Sequence, residues 1–136
     1  MNLDKILTKL DLDRLLKIIN DKDTLQGLDK TSVDLMKNFL TRSKPIDPHK
    51  IRSNIVTMNS RICLKNIGNG KKMECSLVFP KDSDKMANKI SVFSNLGLQI
   101  LGSKVGTVIK GNTSDNQYYL IEDIIYQPEA AGDFHN

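Results

Sequence analysis

The side chains able to do chemistry are few and widely spaced. His49 and His135 are the two histidines, one in a proline-bracketed linker and one near the C-terminus. Neither has an obvious acid, base or nucleophile partner beside it, so an incidental surface role is expected for both. Cys63 and Cys75 are the two cysteines. They lack a CxxC spacing and a nearby histidine, so a metal site is not expected. No GxxxxGK loop appears to cradle phosphates, no GxSxG elbow to present a nucleophile, and no HExxH helix to hold zinc. Chemistry that works by binding is the reading these residues allow.

The elements that must position any binding site are easier to read. Thr8 precedes Leu12, Leu15, Leu16 and Ile19, which recur at i, i+3, i+4 and i+7. That spacing predicts an amphipathic helix with Thr8 as its N-cap. A polar stretch from Asn20 to Thr24, followed by Gly27, breaks it. A second helix is predicted over residues 31–41, with Val33, Met36 and Leu40 as its stripe, widened by Leu35 and Phe39. Two such helices joined by a short polar loop predict an antiparallel helical hairpin over residues 1–44. Each helix is then about 15–18 Å long.

Pro45 and Pro48 mark a linker over residues 45–52, since proline stops helices and favours extended backbone. A sheet domain is expected over residues 53–136. Residues 55–58 read as a strand, and residues 61–79 as a hairpin turning at Asn69-Gly70, the dipeptide that suits a type I′ turn. That turn would pair Gly68 with Lys71, Leu64 with Cys75 and Ile62 with Leu77. Ile62, Leu64, Met73, Cys75 and Leu77 would then share the core face, and Cys63 would lie opposite, leaving both thiols free. A polar loop over 80–88, a strand at 90–93, a short helix at 96–101 closed by Gly102, a strand at 107–110, a turn at 112–116 and a final strand at 117–126 complete the expectation. The fold class is α+β: a helical hairpin, then a compact, mainly antiparallel sheet with one short helix.

Composition narrows the partners. The 136 residues allow one domain, or a small domain with an appendage. No apolar run approaches the ~20 residues of a membrane-spanning helix, and the first residues lack a secretory pattern. A cytoplasmic protein is expected. Residues 1–50 net +2, residues 51–95 net +5 and residues 96–136 net −3. This basic middle is a diffuse signal. It leaves open a nucleic-acid-binding module, which steep salt dependence would reveal. Aromatic residues make up 5% of the chain and there is no Trp.

Four segments go further. They are residues 10–16 (LDLDRLL), residues 56–61 (VTMNSR), residues 90–92 with 100–106 (ISV and ILGSKVG), and residues 126–133 (YQPEAAGD). Together and in this order they resemble the bacterial family of regulators of nucleoside diphosphate kinase, within the Gre-type transcription elongation factors. The resemblance spans nearly the whole chain. It implies an antiparallel coiled coil ahead of an FK506-binding-protein-like domain. It also implies binding to RNA polymerase at the rim of the secondary channel, by a monomer that needs no cofactor and reads no DNA sequence. Gre factors carry acidic residues at the coiled-coil tip that help hold a metal in the polymerase active site. The corresponding loop here offers Asp21, Asp23 and Asp29, for which turn and helix-cap roles are the plainer reading.

The family's docking segment corresponds to Ser94, Asn95 and Leu96, with Asn95 where a proline is usual. Thr107 stands where many relatives have aspartate. The helices expected here are several times shorter than in Gre factors, so the tip should stop short of the catalytic centre. The resemblance therefore implies a polymerase-binding regulator, not an enzyme, that competes with longer factors without stimulating cleavage. A cleavage-stimulating factor is the alternative. Prolyl isomerase activity, known on FK506-binding-protein-like folds, is disfavoured by the scarcity of aromatic residues to line its pocket.

Overall fold

The computed structural model describes residues 5–111 and 117–133. The turn expected at 112–116 and His135 lie outside them. The chain opens with a two-residue strand, β1 (Leu7–Thr8), which runs into helix α1 (Lys9–Ile19). Thr8 is the N-cap, its Oγ1 accepting the Asp11 N–H at 3.0 Å. The buried stripe of α1 is turned slightly from the expected one. Leu15 is fully buried and Leu12, Ile18 and Ile19 partly so, while Leu16 stays 40% exposed. Asp11, one turn ahead of Leu15, takes the remaining inward position. The loop after α1 contains a short helix, α2 (Lys22–Leu25), where only a polar turn was expected. Helix α3 (Lys30–Arg42) buries Val33, Met36 and Leu40, the expected stripe.

Pro45 and Ile46 form β2, which pairs in parallel with β1. The linker therefore fastens the base of the hairpin as well as ending it. Lys5 adds a second tie: its Nζ donates to the carbonyls of Leu98 and Gln99, both at 2.8 Å. Burial lowers its pKa to about 8.

The strand expected at 55–58 does not form. Ile55 makes an isolated bridge to Lys104, and Val56 exchanges hydrogen bonds with Ser103 and Gly102. The chain then turns at Asn59, whose φ is 65°. Polar side chains satisfy the backbone here instead of a ladder. The Ser60 Oγ accepts the Thr57 N–H, and an Asp11 oxygen accepts the Met58 N–H.

The sheet proper has five strands in the order β5-β4-β3-β7-β6. These are β3 (Arg61–Asn66), β4 (Lys72–Val78), β5 (Lys89–Ser91), β6 (Val108–Lys110) and β7 (Tyr118–Tyr126). All pairs are antiparallel except β4 with β5. The β3–β4 register differs from the expected one by two residues: Ile62 faces Cys75 and Leu64 faces Met73. The cause is the turn. The Asn66 Oδ1 accepts the N–H groups of Gly68 and Asn69, and the Asn66 C=O accepts the Gly70 N–H at 2.8 Å. Only Gly70 takes positive φ (73°), so a four-residue loop replaces the type I′ turn. A slip of two preserves the faces. Ile62, Leu64, Cys75 and Leu77 are buried, and both cysteines are free.

Helix α4 (Asn95–Ile100) follows β5, with Ile100 and Leu101 fully buried and Gly102 ending it at φ 77°. One buried cluster joins Leu15, Met36 and Leu40 of the hairpin to Ile62, Leu64, Ile100 and Ile121 of the sheet and α4. Among the described residues no helix is long and apolar enough to cross a membrane.

Candidate functional site

The segment from Ser91 to Leu96 is held by its own hydroxyls. The Ser91 Oγ accepts the Phe93 N–H at 3.1 Å. The Ser94 Oγ accepts the Gly97 N–H at 3.0 Å, as the N-cap of α4, and donates to the Ser91 carbonyl at 2.7 Å. Gly97 makes the close turn possible. A Cβ on it would stand 2.1 Å from the Ser91 oxygen, so α4 can start against β5 only with glycine here. At its other side α4 is clamped to β6 by Gln99. That side chain donates to the Lys110 carbonyl at 2.7 Å and accepts the Lys110 N–H at 3.0 Å. The result is a rigid platform.

Ser94 and half-buried Leu96 line a groove of about 500 Å³ together with Met73, Ile90 and, from the preceding loop, Ser83, Asp84, Lys85, Asn88 and Lys89. Asn95 does not line it; its Nδ2 reaches the Gly111 carbonyl instead, at 3.4 Å. The loop forms a closed turn of its own. Asp84 and Lys89 exchange two backbone hydrogen bonds, the Asp84 Oδ1 accepts the Met86 N–H, and Asn88 takes φ 53°. This turn holds Met86 outward, 97% exposed. Asp84, Lys85 and Lys89 add charge of both signs to the groove. The groove therefore has an apolar floor of Met73, Ile90 and Leu96 and a charged rim, and Met86 lies in the adjoining loop. The loop was read from sequence only as polar and charged. Met86, a large apolar residue inside that polar run, was the available signal.

The acidic residues of the hairpin loop lie elsewhere. Asp21 is the N-cap of α2, its two oxygens accepting from the Asp23 N–H at 3.2 Å and the Thr24 hydroxyl at 2.8 Å. Asp29 is the N-cap of α3, accepting the Ser32 N–H at 3.1 Å. Asp23 sits exposed in the first turn of α2. Among the described residues no group of three or more His, Cys, Asp or Glu side chains could hold a metal ion. His49 does have a carboxylate beside it, contrary to expectation. Its Nδ1 is 3.1 Å from Asp47, on an exposed 3-10 turn, and the Asp47 pKa is lowered chiefly by the His49 backbone N–H.

Three of the sequence segments meet at a buried junction. Asp11 is 1% exposed, and its Oδ2 accepts the Met58 N–H at 3.0 Å. The Thr57 hydroxyl lies 2.9 Å from the Ser60 Oγ and donates to Glu129 at 2.7 Å. The Gln127 amide donates to the carbonyls of Arg52 and Ile55. Tyr126 donates to Asp133. Desolvation raises the Asp11 pKa to about 6, against the opposing pull of the Met58 N–H, and the Glu129 carboxylate adds to the rise. The junction ties α1, the 56–61 segment and the 126–133 segment into one unit.

The family described as Transcription elongation factor, GreA/GreB, C-term, matches residues 51–126. The chain is 30% identical over 131 residues to the Regulator of nucleoside diphosphate kinase of Escherichia coli (strain K12), covering 95% of this chain and 94% of that one. It is 33% identical over 81 residues to Transcription elongation factor GreA of Christiangramia forsetii, covering 60% of this chain but 51% of the relative. A solved structure, Prokaryotic transcription elongation factor GreA/GreB from Nitrosomonas europaea, superposes with a TM-score of 0.76 at 27% identity, over 90% of this chain and 99% of that one.

Proposed function

The chain belongs to the GreA/GreB transcription elongation factor family, on its regulator of nucleoside diphosphate kinase branch, and from that premise we propose a polymerase-docking regulator that does not itself promote transcript cleavage. In this reading a cytoplasmic monomer seats its sheet domain, of FK506-binding-protein-like type, near the secondary channel of RNA polymerase. The groove beside Ser94 and Leu96, with Met86 at its edge, makes the contact. The hairpin points inward as a short coiled coil. The protein acts by occupying a place that longer Gre-type factors also need.

The observation that carries this reading is the length of the hairpin. Helices α1 and α3 have 11 and 13 residues, hence about 16 and 20 Å. Helping to hold a catalytic metal demands placement to within about an ångström. A tip that stops short of the active centre loses the effect altogether. The local geometry supports the same reading, since Asp21 and Asp29 each already cap a helix through one carboxylate oxygen.

The test has two arms. Co-purification with core RNA polymerase should succeed, and a Gre factor should displace the protein. Leu96→Asp should weaken that binding at least tenfold while the fold stays intact; unchanged binding would remove the groove from the reading. In stalled elongation complexes the protein should reduce cleavage stimulated by a Gre factor and give none alone. Cleavage that depends on Asp21 and Asp23 would overturn the proposal in favour of a cleavage-stimulating factor.

A further inference from the structure

A second cavity, of about 280 Å³, lies where the hairpin meets the sheet. Arg14, Lys17 and Ile18 reach it from α1, at i, i+3 and i+4 on one helix face. Phe79, Pro80 and Lys81 reach it from the end of β4 and the 3-10 turn that follows. The walls are of two kinds. Ile18, Phe79 and Pro80 form an apolar side, in which Phe79 is 8% exposed and so held by the core. Arg14, Lys17 and Lys81 supply three cations, and the Arg14 guanidinium lies 5.9 Å from the centroid of the Phe79 ring. None of the three makes a salt bridge among the described residues. The carboxylates placed nearby are occupied: Asp11 acts on Arg14 but is bonded to Met58, and Asp21 is bonded to Thr24 at the rim.

Three cations around one concavity attract an anion, although Asp11 offsets part of the Arg14 charge, and low-dielectric walls focus their field into the cleft. A guanidinium flanked by two ammonium groups suits the oxygens of a phosphate chain. The volume lies just below the ~300–1,000 Å³ of small-ligand pockets, so a ligand would extend partly into solvent, and it is too small for a helix, which is about 10–12 Å across. We propose that this cleft is a binding site for a free nucleotide, with its phosphates between Arg14, Lys17 and Lys81 and its base against Ile18 and Pro80. A ligand there would bridge α1 and the sheet, so its binding should also raise the melting temperature.

The experiment titrates the full chain with ADP, pyrophosphate and adenosine in separate arms, by calorimetry and by thermal shift. ADP should bind saturably below millimolar concentration and raise Tm. Pyrophosphate and adenosine should each bind at least tenfold more weakly. Lys17→Gln and Lys81→Gln change exposed side chains, so folding is not at risk; each should weaken ADP binding by about tenfold, the size of one charge-assisted contact. Absence of saturable ADP binding would overturn the proposal. So would an ADP affinity unchanged in the double variant, or pyrophosphate binding as tightly as ADP. Binding of a hexaglutamate peptide in preference to ADP would overturn it in favour of an acidic protein segment.

Discussion

Replacing Asp11 by Asn should reverse part of the protein's response to pH. Asp11 is 1% exposed, and its pKa is raised from 3.8 to about 6, first by desolvation and then by the Glu129 carboxylate. A carboxyl whose folded pKa lies above its unfolded pKa holds its proton more tightly in the folded state. Its contribution is therefore fully present well below pH 4 and lost as pH rises through 6. A shift of about two units corresponds to about 3 kcal/mol. An Asn side chain keeps an oxygen to accept the Met58 N–H and has nothing to ionise. Part of this loss already lies below pH 4, so between pH 4 and pH 7 the wild-type protein should lose about 2 kcal/mol relative to Asp11→Asn. Carboxylates that do not interact with Asp11 titrate alike in both proteins and cancel in the difference; Glu129, which does interact with it, stays as part of the measured effect. Urea unfolding of the two proteins at pH 4, 5, 6 and 7 measures it directly. Curves that run parallel to within about 0.5 kcal/mol would refute the buried-carboxyl argument. Asp11→Ala serves as the control. It removes the charge but leaves the Met58 N–H without its acceptor, which costs about 1–3 kcal/mol at every pH.

Two further outcomes follow from the packing. Gly97→Ala should destabilise by about 3 kcal/mol and displace the start of α4 from β5, because its Cβ would stand 2.1 Å from the Ser91 oxygen; denaturant unfolding together with the amide shifts of residues 91–97 checks both effects. Maleimide at pH 8 should label half-buried Cys63 in the folded protein and spare Cys75, which is 3% exposed with its thiol pushed up to about 12 by burial; equal labelling of the two in native protein would contradict the sheet faces described above.

Periodicity made most of the fold legible. The Val33, Met36 and Leu40 stripe, the Thr8 cap and the core face of the β3–β4 hairpin follow from spacing and side-chain type, which act locally. The errors have a common origin in long-range satisfaction of the backbone. Residues 55–58 have strand-like side chains, yet their N–H and C=O groups are taken by Ser60, Asp11, Gly102 and Ser103. Asn69-Gly70 suits a two-residue turn, yet the Asn66 side chain captures two amides and widens the loop. Asp11 interrupts no pattern and reads as a first-turn acid. Only its position one turn ahead of core Leu15 hinted that it faces inward. Met86 and Arg14 are legible as side chains, but their neighbours across the grooves come from distant parts of the chain.

The segments that stand out most in the sequence are the ones that hold the molecule together. LDLDRLL, VTMNSR and YQPEAAGD meet through Asp11 with Met58, Thr57 with Glu129, and Gln127 with Arg52 and Ile55. Their specificity is that of a buried polar network, in which Thr57, Ser60 and the Gln127 amide nitrogen each make more than one hydrogen bond. The β1–β2 pair and the Lys5 bonds to α4 close the same joint from the other side. A short hairpin gains from such a joint. With about 16–20 Å of helix, even a modest swing at the base would move the tip by several ångströms. Locking the base sets where the tip lies relative to the Ser94–Leu96 platform. Under the proposed function, a regulator that works by occupying space needs that fixed shape, whereas placing a catalytic carboxylate would need greater length as well.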